Sequence, residues 1–144
     1  MSKICITGAN GFIGKKLFET LIKSGKPIRG FVRSTINDNN KYVTAGDISL
    51  DINWKNLLID YDCIIHCAGM EQKIKKKDNL ESYLAVNTKG TKHLAEYASK
   101  AGIKRFIFLS SIKVNGEKTL DVINNVPTNS NFKKKFFHND IEAP

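Results

Sequence analysis

The sequence predicts an α/β protein in which helices cover a doubly wound, parallel sheet of about five strands. Two observations predict this class. Short apolar runs alternate with longer segments of helical periodicity, and a glycine-rich turn joins the first run to the first helical segment. The chain has 144 residues, of which 41% are hydrophobic and 26% charged, as in ordinary globular proteins. We therefore expect one domain with its own core.

The first half of the chain predicts three strands and two helices. Residues 3–7 form an apolar run that predicts the first strand, and apolar residues then recur at helical spacing until a Ser-Gly pair ends the helix. Residues 28–32 predict the second strand and residues 42–45 a short third one. The asparagine-rich stretch at 34–41 indicates an exposed loop, and residues 52–59 favour a short helix.

The second half continues this alternation and then loses it. Residues 61–67 are a continuous apolar run, which is typical of a strand buried on both faces. Residues 79–101 keep helical spacing in the longest helix, and residues 104–109 predict a fifth strand. Beyond them the periodicity ends among asparagine, lysine and turn formers. We therefore predict a folded domain at 1–112 and a loop-rich tail at 113–144.

The chain is basic, with 23 Lys and Arg against 14 Asp and Glu and a formal net charge of +9. Such a charge would suit nucleic acid, an anionic membrane or a phosphorylated small molecule. The lysines cluster at 73–77 and 133–135 without regularly interleaved aromatic residues, so we interpret them as solvated surface and expect no specific nucleic-acid binding. No stretch approaches the roughly 18 apolar residues of a membrane span, and no signal-peptide pattern opens the chain, so we expect a cytoplasmic protein.

The cysteines lie in apolar runs, where a thiol behaves as a small hydrophobic group, so we expect Cys5, Cys63 and Cys67 to be free thiols. His66 lies between two of them. Alternate residues of a strand face opposite sides of a sheet, so these side chains cannot supply three ligands to one metal ion. We predict no metal site and interpret His66 as facing the core or a helix.

The glycine-rich turn at 7–14 reads T-G-A-N-G-F-I-G, with Gly8, Gly11 and Gly14 spaced three apart between strand and helix. The first glycine permits a tight turn, the second lets a diphosphate approach the backbone, and the third lets the helix pack closely on the sheet. The start of the helix offers free N–H groups and a partial positive charge to phosphates. A merely connecting turn is the alternative, but the context favours dinucleotide binding by a Rossmann-type fold.

These features resemble the short-chain dehydrogenase/reductases, and within them the extended branch called the NAD-dependent epimerase/dehydratase family. The turn matches their T-G-x-x-G-x-x-G pattern. Three later stretches are similar to family motifs in the same order: D-C-I-I-H-C-A-G at 62–69, V-N-T-K-G-T at 86–91 and F-L-S-S-I-K-V-N-G at 108–116. The resemblance covers the whole chain and implies the amino-terminal, cofactor-binding part of an enzyme.

The resemblance also implies which residues contact the cofactor. They are Thr7, Gly8, Asn10, Gly11, Phe12, Ile13, Gly14, Arg33, Ser34, Asp47, Ile48, Cys67, Ala68, Gly69 and Asn87. Within this set Asp47 would accept a hydrogen bond from the adenine amine, and the alternative is a helix cap.

The end of the second strand bears on the choice between NAD and NADP. Enzymes that prefer NAD commonly place a carboxylate there to bind the ribose hydroxyls, whereas this chain has Val32 followed by Arg33 and Ser34. A guanidinium group pairs with phosphate through two parallel hydrogen bonds. We therefore favour NADP over NAD. The alternatives are that Arg33 stacks on the adenine or lies in solvent.

The family's chemistry uses a tyrosine that exchanges a proton, a lysine four residues later that lowers the pKa of that tyrosine, and a serine that positions the substrate oxygen. Ser111 matches the serine, with a loop serine capping the strand end as the alternative. No tyrosine of this chain has a lysine four positions later; the four are Tyr42, Tyr61, Tyr83 and Tyr97. We therefore expect the pair and a substrate lobe beyond residue 144, in an enzyme about twice as long, and no turnover from these residues alone.

The run at 109–117 is most similar to family members that act on UDP-linked acetamido sugars, as 4-epimerases or as reductases of 4-keto intermediates. Both begin with hydride exchange at the sugar C4. The resemblance thus implies a nucleotide-sugar substrate and, in many members, a homodimer. The alternative is a catalytically silent NAD(P)-binding module or a truncated gene product.

Overall fold

A computed structural model of the protein describes residues 3–37, 40–70 and 80–111. Five parallel strands form one sheet in the order β3-β2-β1-β4-β5. Their bounds are Ile4–Thr7 for β1, Ile28–Val32 for β2, Tyr42–Thr44 for β3, Cys63–His66 for β4 and Arg105–Phe108 for β5. Because the order grows outwards from β1 in both directions, the sheet is doubly wound, which confirms the predicted fold class.

The helices are α1 at Phe12–Lys23, α2 at Trp54–Leu57, α3 at Leu80–Tyr83 and α4 at Thr91–Lys100. One difference from the sequence prediction concerns the long helix. It is not regular throughout, because a π-helical segment, Leu84–Gly90, lies between α3 and α4. This segment ends where the helix touches another loop, since a Cβ atom at Gly90 would lie 2.6 Å from the carbonyl oxygen of Ile48. The wider turn thus coincides with a close backbone contact.

The sheet separates two apolar layers. On one face Cys5, Phe31 and Ile64 pack with buried side chains of α2 and α4, among them Trp54 and Leu94. The other face packs against α1 through a second set of buried residues, which are Ile6, Ala9, Phe18, Val32, Cys63 and Ile65. Alternate residues of one strand therefore contribute to opposite layers, as the pleat requires. Both faces are covered, which explains the continuous apolar runs.

The three cysteines are free thiols, as predicted. Cys5 and Cys63 are buried, and Cys67, one residue beyond β4, is half-buried. Burial raises the pKa of the Cys5 thiol to about 12, so this thiol stays protonated.

Within the described part of the chain, no helix is both long enough and apolar enough to cross a membrane. The lysine clusters at 73–77 and 133–135, and the tail predicted at 113–144, lie outside the described residues. The division at residue 112 therefore stays a prediction.

Candidate functional site

The glycine-rich turn lies at the junction of β1 and α1 and folds back tightly on itself. Gly8 has a positive φ of 67°, and a Cβ atom there would lie 2.7 Å from the backbone nitrogen of Ala68. The N–H of Gly11 donates to the carbonyl of Gly8 at 2.9 Å. At Gly14 a Cβ atom would lie 2.1 Å from that same carbonyl oxygen. The third glycine thus lets α1 approach the turn itself, whereas the sequence suggested that it lets the helix pack on the sheet.

The turn stands at the carboxyl edge of the sheet, beside the end of β4. Thr7 pairs with His66 in the parallel register, and the N–H of Cys67 donates to the carbonyl of Thr7 at 3.1 Å. In open α/β sheets this edge is where ligands bind, in the crevice at which the strand order reverses. Here the reversal lies between β1 and β4, which is where Gly8 meets Ala68.

His66 connects β4 to β1 and to α4 at this edge of the sheet. Its side chain is fully buried, with Nδ1 2.5 Å from Oγ1 of Thr7 and Nε2 2.9 Å from Oγ1 of Thr91 on α4. Burial lowers the pKa of His66 to about 4, so the ring is neutral near pH 7 and one nitrogen donates while the other accepts. The side chain faces a helix through the core, as the sequence indicated. Among the described residues, no group of three metal-ligating side chains forms.

A cavity of about 460 Å³ opens at this edge. A larger one, about 540 Å³, is lined by Leu58, Tyr61, Tyr97 and their neighbours, next to the amino end of β4. Size therefore does not select the site. Position does, because the smaller cavity lies where strand order reverses and has glycine backbone on its surface. Its lining residues are Thr7, Gly8, Asn10, Gly11, Phe31, Val32, Arg33, Ser34, Ala45, Gly46, Ile48, Trp54, Cys67, Ala68, Gly69 and Val86.

Ten of the predicted cofactor residues are therefore brought together around one cavity, from the ends of four different strands. The lining residues that sequence reasoning missed are Phe31, Val32, Ala45, Gly46, Trp54 and Val86. The sequence signal available for most of them was hydrophobicity alone, which favours a place in the core. A Cβ atom would lie 2.7 Å from the backbone nitrogen of Ala68 at Gly8 and 3.2 Å from the carbonyl oxygen of Gly8 at Gly11. Main chain without side chains therefore forms this part of the cavity lining, which fits a ligand that approaches the backbone closely.

The other predicted residues lie around the cavity rather than on its lining. Phe12 and Ile13 begin α1 with exposed side chains, so only their backbone N–H groups are suited to a phosphate. Asn87 is engaged with the loop after β4, because its side-chain amide accepts from the N–H of Met70 at 2.7 Å and donates to its carbonyl at 2.9 Å. Ser111, the predicted catalytic residue, is exposed three positions after β5.

Asp47 and Arg33 meet beside the cavity. The Nε atom of Arg33 lies 3.6 Å from Oδ2 of Asp47. The other oxygen, Oδ1, accepts hydrogen bonds from the N–H and the hydroxyl of Ser49 at 2.9 and 2.7 Å. Hydrogen bonds from Ser49, with a smaller contribution from Arg33, hold the pKa of Asp47 below its usual value. Asp47 therefore stabilises a turn, and the helix-cap alternative is wrong because α2 begins only at Trp54.

A model of the NAD dependent epimerase/dehydratase family matches residues 4–138. The chain belongs to this family. Among similar proteins, the UDP-glucose 4-epimerase of Vibrio cholerae is 40% identical over 121 residues, an alignment that covers 81% of this chain and 37% of that protein. The chain thus spans little more than a third of that relative's length.

Two solved structures are similar to the chain in fold. A short-chain dehydrogenase/reductase superfamily protein from Agrobacterium tumefaciens with bound NAD has a TM-score of 0.72 at 25% identity, covering 84% of this chain and 36% of that one. The UDP-glucuronic acid 4-epimerase of Bacillus cereus in complex with NAD has a TM-score of 0.66 at 26% identity, covering 81% and 42%. Both are bound to NAD.

Proposed function

We propose that this chain is the amino-terminal, cofactor-binding part of a nucleotide-sugar oxidoreductase of the epimerase/dehydratase type. In this proposal the cavity at the carboxyl edge binds a pyridine dinucleotide. The observation that carries it is the glycine-rich turn, which closes onto Ala68 at the point where the strand order reverses and leaves main chain exposed to the cavity. The names of the similar proteins support both the NAD-type cofactor and a UDP-sugar substrate.

The pyrophosphate would lie at the start of α1. The first N–H groups of a helix have no partner within the helix, and α1 begins at Phe12 with no side chain capping it. Their dipoles add a partial positive charge that favours an anion. Phe12, Ile13 and Gly14 therefore take part through their backbone, while Gly11 leaves the approach open.

Bound dinucleotide would supply hydride exchange with C4 of the sugar. The residues of this chain would bind and orient it: the glycine turn would hold the pyrophosphate, and Ala68 and Gly69 would contact the dinucleotide through small side chains and backbone. Ser111 would position the substrate oxygen by hydrogen bonding. The proton exchange falls to a Tyr-x-x-x-Lys pair, which none of the four tyrosines of this chain can supply.

For the cofactor we propose that Arg33 and Ser34 favour NADP. Both residues line the cavity immediately after β2, so a ribose 2′-phosphate could reach the guanidinium group. NAD, the cofactor of the two solved relatives, is the competing choice.

Substituting Gly11→Ala tests the proposed site. A Cβ atom at Gly11 would lie 3.2 Å from the carbonyl oxygen of Gly8, so the turn must move by a few tenths of an ångström. In the proposed site the methyl group would also hinder the approach of the pyrophosphate to the backbone. We expect titration calorimetry to show NAD(H) or NADP(H) binding to the parent chain and at least about tenfold weaker binding to the variant, a loss of about 1.4 kcal/mol.

Gly25→Ala is the matched control for that experiment. Gly25 has a φ of 70° at the end of α1, outside the cavity lining, so alanine there should lower the free energy of unfolding by about 1 kcal/mol and leave affinity unchanged. If neither dinucleotide binds the parent chain, or if both variants bind equally well, the proposed site is wrong.

A second candidate is a dinucleotide-binding module without turnover. The absence of a Tyr-x-x-x-Lys pair in the sequence favours it for these 144 residues. Both candidates predict cofactor binding and no turnover by these 144 residues alone, and they differ in whether a longer protein that contains them is catalytic. We expect no interconversion of UDP-glucose and UDP-galactose by the purified chain with saturating cofactor, and measurable turnover by chromatography would contradict this.

A further inference from the structure

The ends of β2 and β3 place opposite charges side by side at the ribose end of the proposed cofactor site. Val32 pairs with Thr44, and the N–H of Ala45 donates to the carbonyl of Val32 at 2.9 Å, so the chain segments that leave both strands stay adjacent. Arg33 follows the first strand directly. Asp47 follows the second strand after Gly46, which has a φ of 96° and lines the cavity.

The carboxylate of Asp47 is held in one orientation. Ser49 donates its N–H and its hydroxyl to Oδ1, and the N–H of Leu50 donates to the carbonyl of Asp47 at 3.0 Å, so the turn fixes both backbone and side chain. This leaves Oδ2 directed at Nε of Arg33, 3.6 Å away. The guanidinium group can still offer its Nη atoms to a ligand, but beside a compensating negative charge.

We propose that Asp47 is a specificity-determining residue, which as the counter-ion of Arg33 weakens binding of a ribose 2′-phosphate and shifts the site from NADP towards NAD. This inference rests on the proposed function, because it concerns the same cavity. Two effects act in the same direction: the carboxylate compensates the charge of Arg33, and it repels a 2′-phosphate dianion directly. NAD has a hydroxyl at that position and is affected by neither.

An uncompensated arginine after β2 favours NADP, because a guanidinium group pairs with phosphate. With Asp47 beside it, Arg33 no longer presents an uncompensated positive charge. The preference is then set by the pair and not by the arginine alone.

The test is Asp47→Asn in the 144-residue chain, with NAD⁺ and NADP⁺ titrated separately by calorimetry. Asparagine keeps the turn, because its amide oxygen can still accept from Ser49, and it removes only the charge. We expect the ratio of NADP⁺ to NAD⁺ affinity to rise about fivefold, the upper range for an exposed ion pair. Any contact of Asp47 with the adenine is common to both cofactors and cancels in the ratio.

Two further variants complete the experiment. Asp51→Asn removes a charge from the same loop, from an exposed carboxylate that pairs with His93, and should leave the ratio unchanged. In an Arg33→Gln background only the direct repulsion of the 2′-phosphate by Asp47 remains, so the effect of Asp47→Asn on the ratio should shrink to about twofold or less.

The outcomes separate this inference from the proposed function. If neither dinucleotide binds the parent chain, the proposed cofactor site is wrong, and so is the proposed role of Asp47. If both bind but Asp47→Asn leaves the ratio unchanged, or changes it equally with and without Arg33, the counter-ion role is overturned while the site stands.

Discussion

The end of β4 and the end of β2 lie on the same edge of the sheet, yet they are held in different ways. At β4, His66 is fully buried, bonded through both ring nitrogens and stacked on Phe108 with ring centroids 5.6 Å apart. At β2, the side chain of Arg33 is 65% exposed, and the contact the structure shows for it is an ion pair of 3.6 Å.

The difference shows that one edge of the sheet can combine a rigid, buried part with an exposed part whose side chains can change. A buried polar group that loses its partner costs the protein its full desolvation penalty, so the geometry around Thr7, His66 and Ala68 is strongly determined. An exposed charge can exchange its partner for water at little cost. The backbone position is thus fixed on the β1–β4 side, whereas the exposed side chain after β2 can change with little loss of stability.

The largest expected effect on stability comes from a substitution at Gly14, on the β1–β4 side of the edge. Because a Cβ atom there would lie 2.1 Å from the carbonyl oxygen of Gly8, Gly14→Ala must displace backbone. We expect urea denaturation to show a loss of about 3 kcal/mol or more in the free energy of unfolding. Gly69→Ala is the control, since its Cβ atom would meet Asn87 at an ordinary 3.4 Å, and a similar loss in both variants would contradict the argument.

A second test uses pH to sharpen the comparison at His66. The unfolded chain binds a proton at this residue with a pKa near 6.5, whereas burial lowers the native pKa to about 4. Between these pH values the unfolded state holds more protons, so stability falls as the pH falls. We expect the free energy of unfolding to decrease by about 1.4 kcal/mol for each pH unit that the pH falls within this window. Urea denaturation at several pH values measures this decrease.

His66→Phe provides the control for the pH experiment. Phenylalanine cannot be protonated, so the variant should lose that part of the slope, while carboxylates such as Asp47 and Asp62 contribute equally to both proteins. At pH 7 the variant should be about 2 kcal/mol less stable, because the hydroxyls of Thr7 and Thr91 lose their shared partner. An unchanged slope would mean that His66 titrates normally in the folded protein.

The smallest effect is expected on the exposed side. Arg33→Gln removes an ion pair that solvent screens, so the free energy of unfolding should change by less than about 0.5 kcal/mol. Binding of NADP⁺ should nevertheless weaken, while binding of NAD⁺ should hardly change. A large loss of stability in this variant would mean that Arg33 stabilises the fold as His66 does, and the two strand ends would then not differ.

Much of this architecture could be predicted from local sequence. Short apolar runs place every strand within one or two residues of its observed bounds, because strands of a sheet covered on both faces bury their side chains on both sides. The glycine spacing likewise predicts the turn, since Gly8 needs a positive φ and Gly14 has no room for a side chain. The π-helical segment before Gly90 was missed, because it coincides with a contact to Ile48, some forty positions earlier in the chain.

The candidate site divides in the same way. The residues of the glycine-rich turn and of the β4 end were predicted because their motifs require an unusual backbone conformation. These motifs also occur at a fixed position in the alternation of strands and helices. Trp54 and Val86 were missed because a buried apolar side chain beside a cavity has the same sequence signal as one in the core. Asp47 and Arg33 were each predicted to contact the cofactor, but their contact with each other was not.

The sequence by itself determined the succession of strands and helices along the chain, the sharp turn after β1 and the family. These depend on hydrophobic patterns, backbone conformation and short motifs. Only the tertiary structure decided the bonds of His66 to Thr7 and Thr91 and the pairing of Arg33 with Asp47. Such contacts join residues between 14 and 59 positions apart. They form because parallel strands bring distant segments to one edge of the sheet, and no local pattern specifies which side chains will meet there.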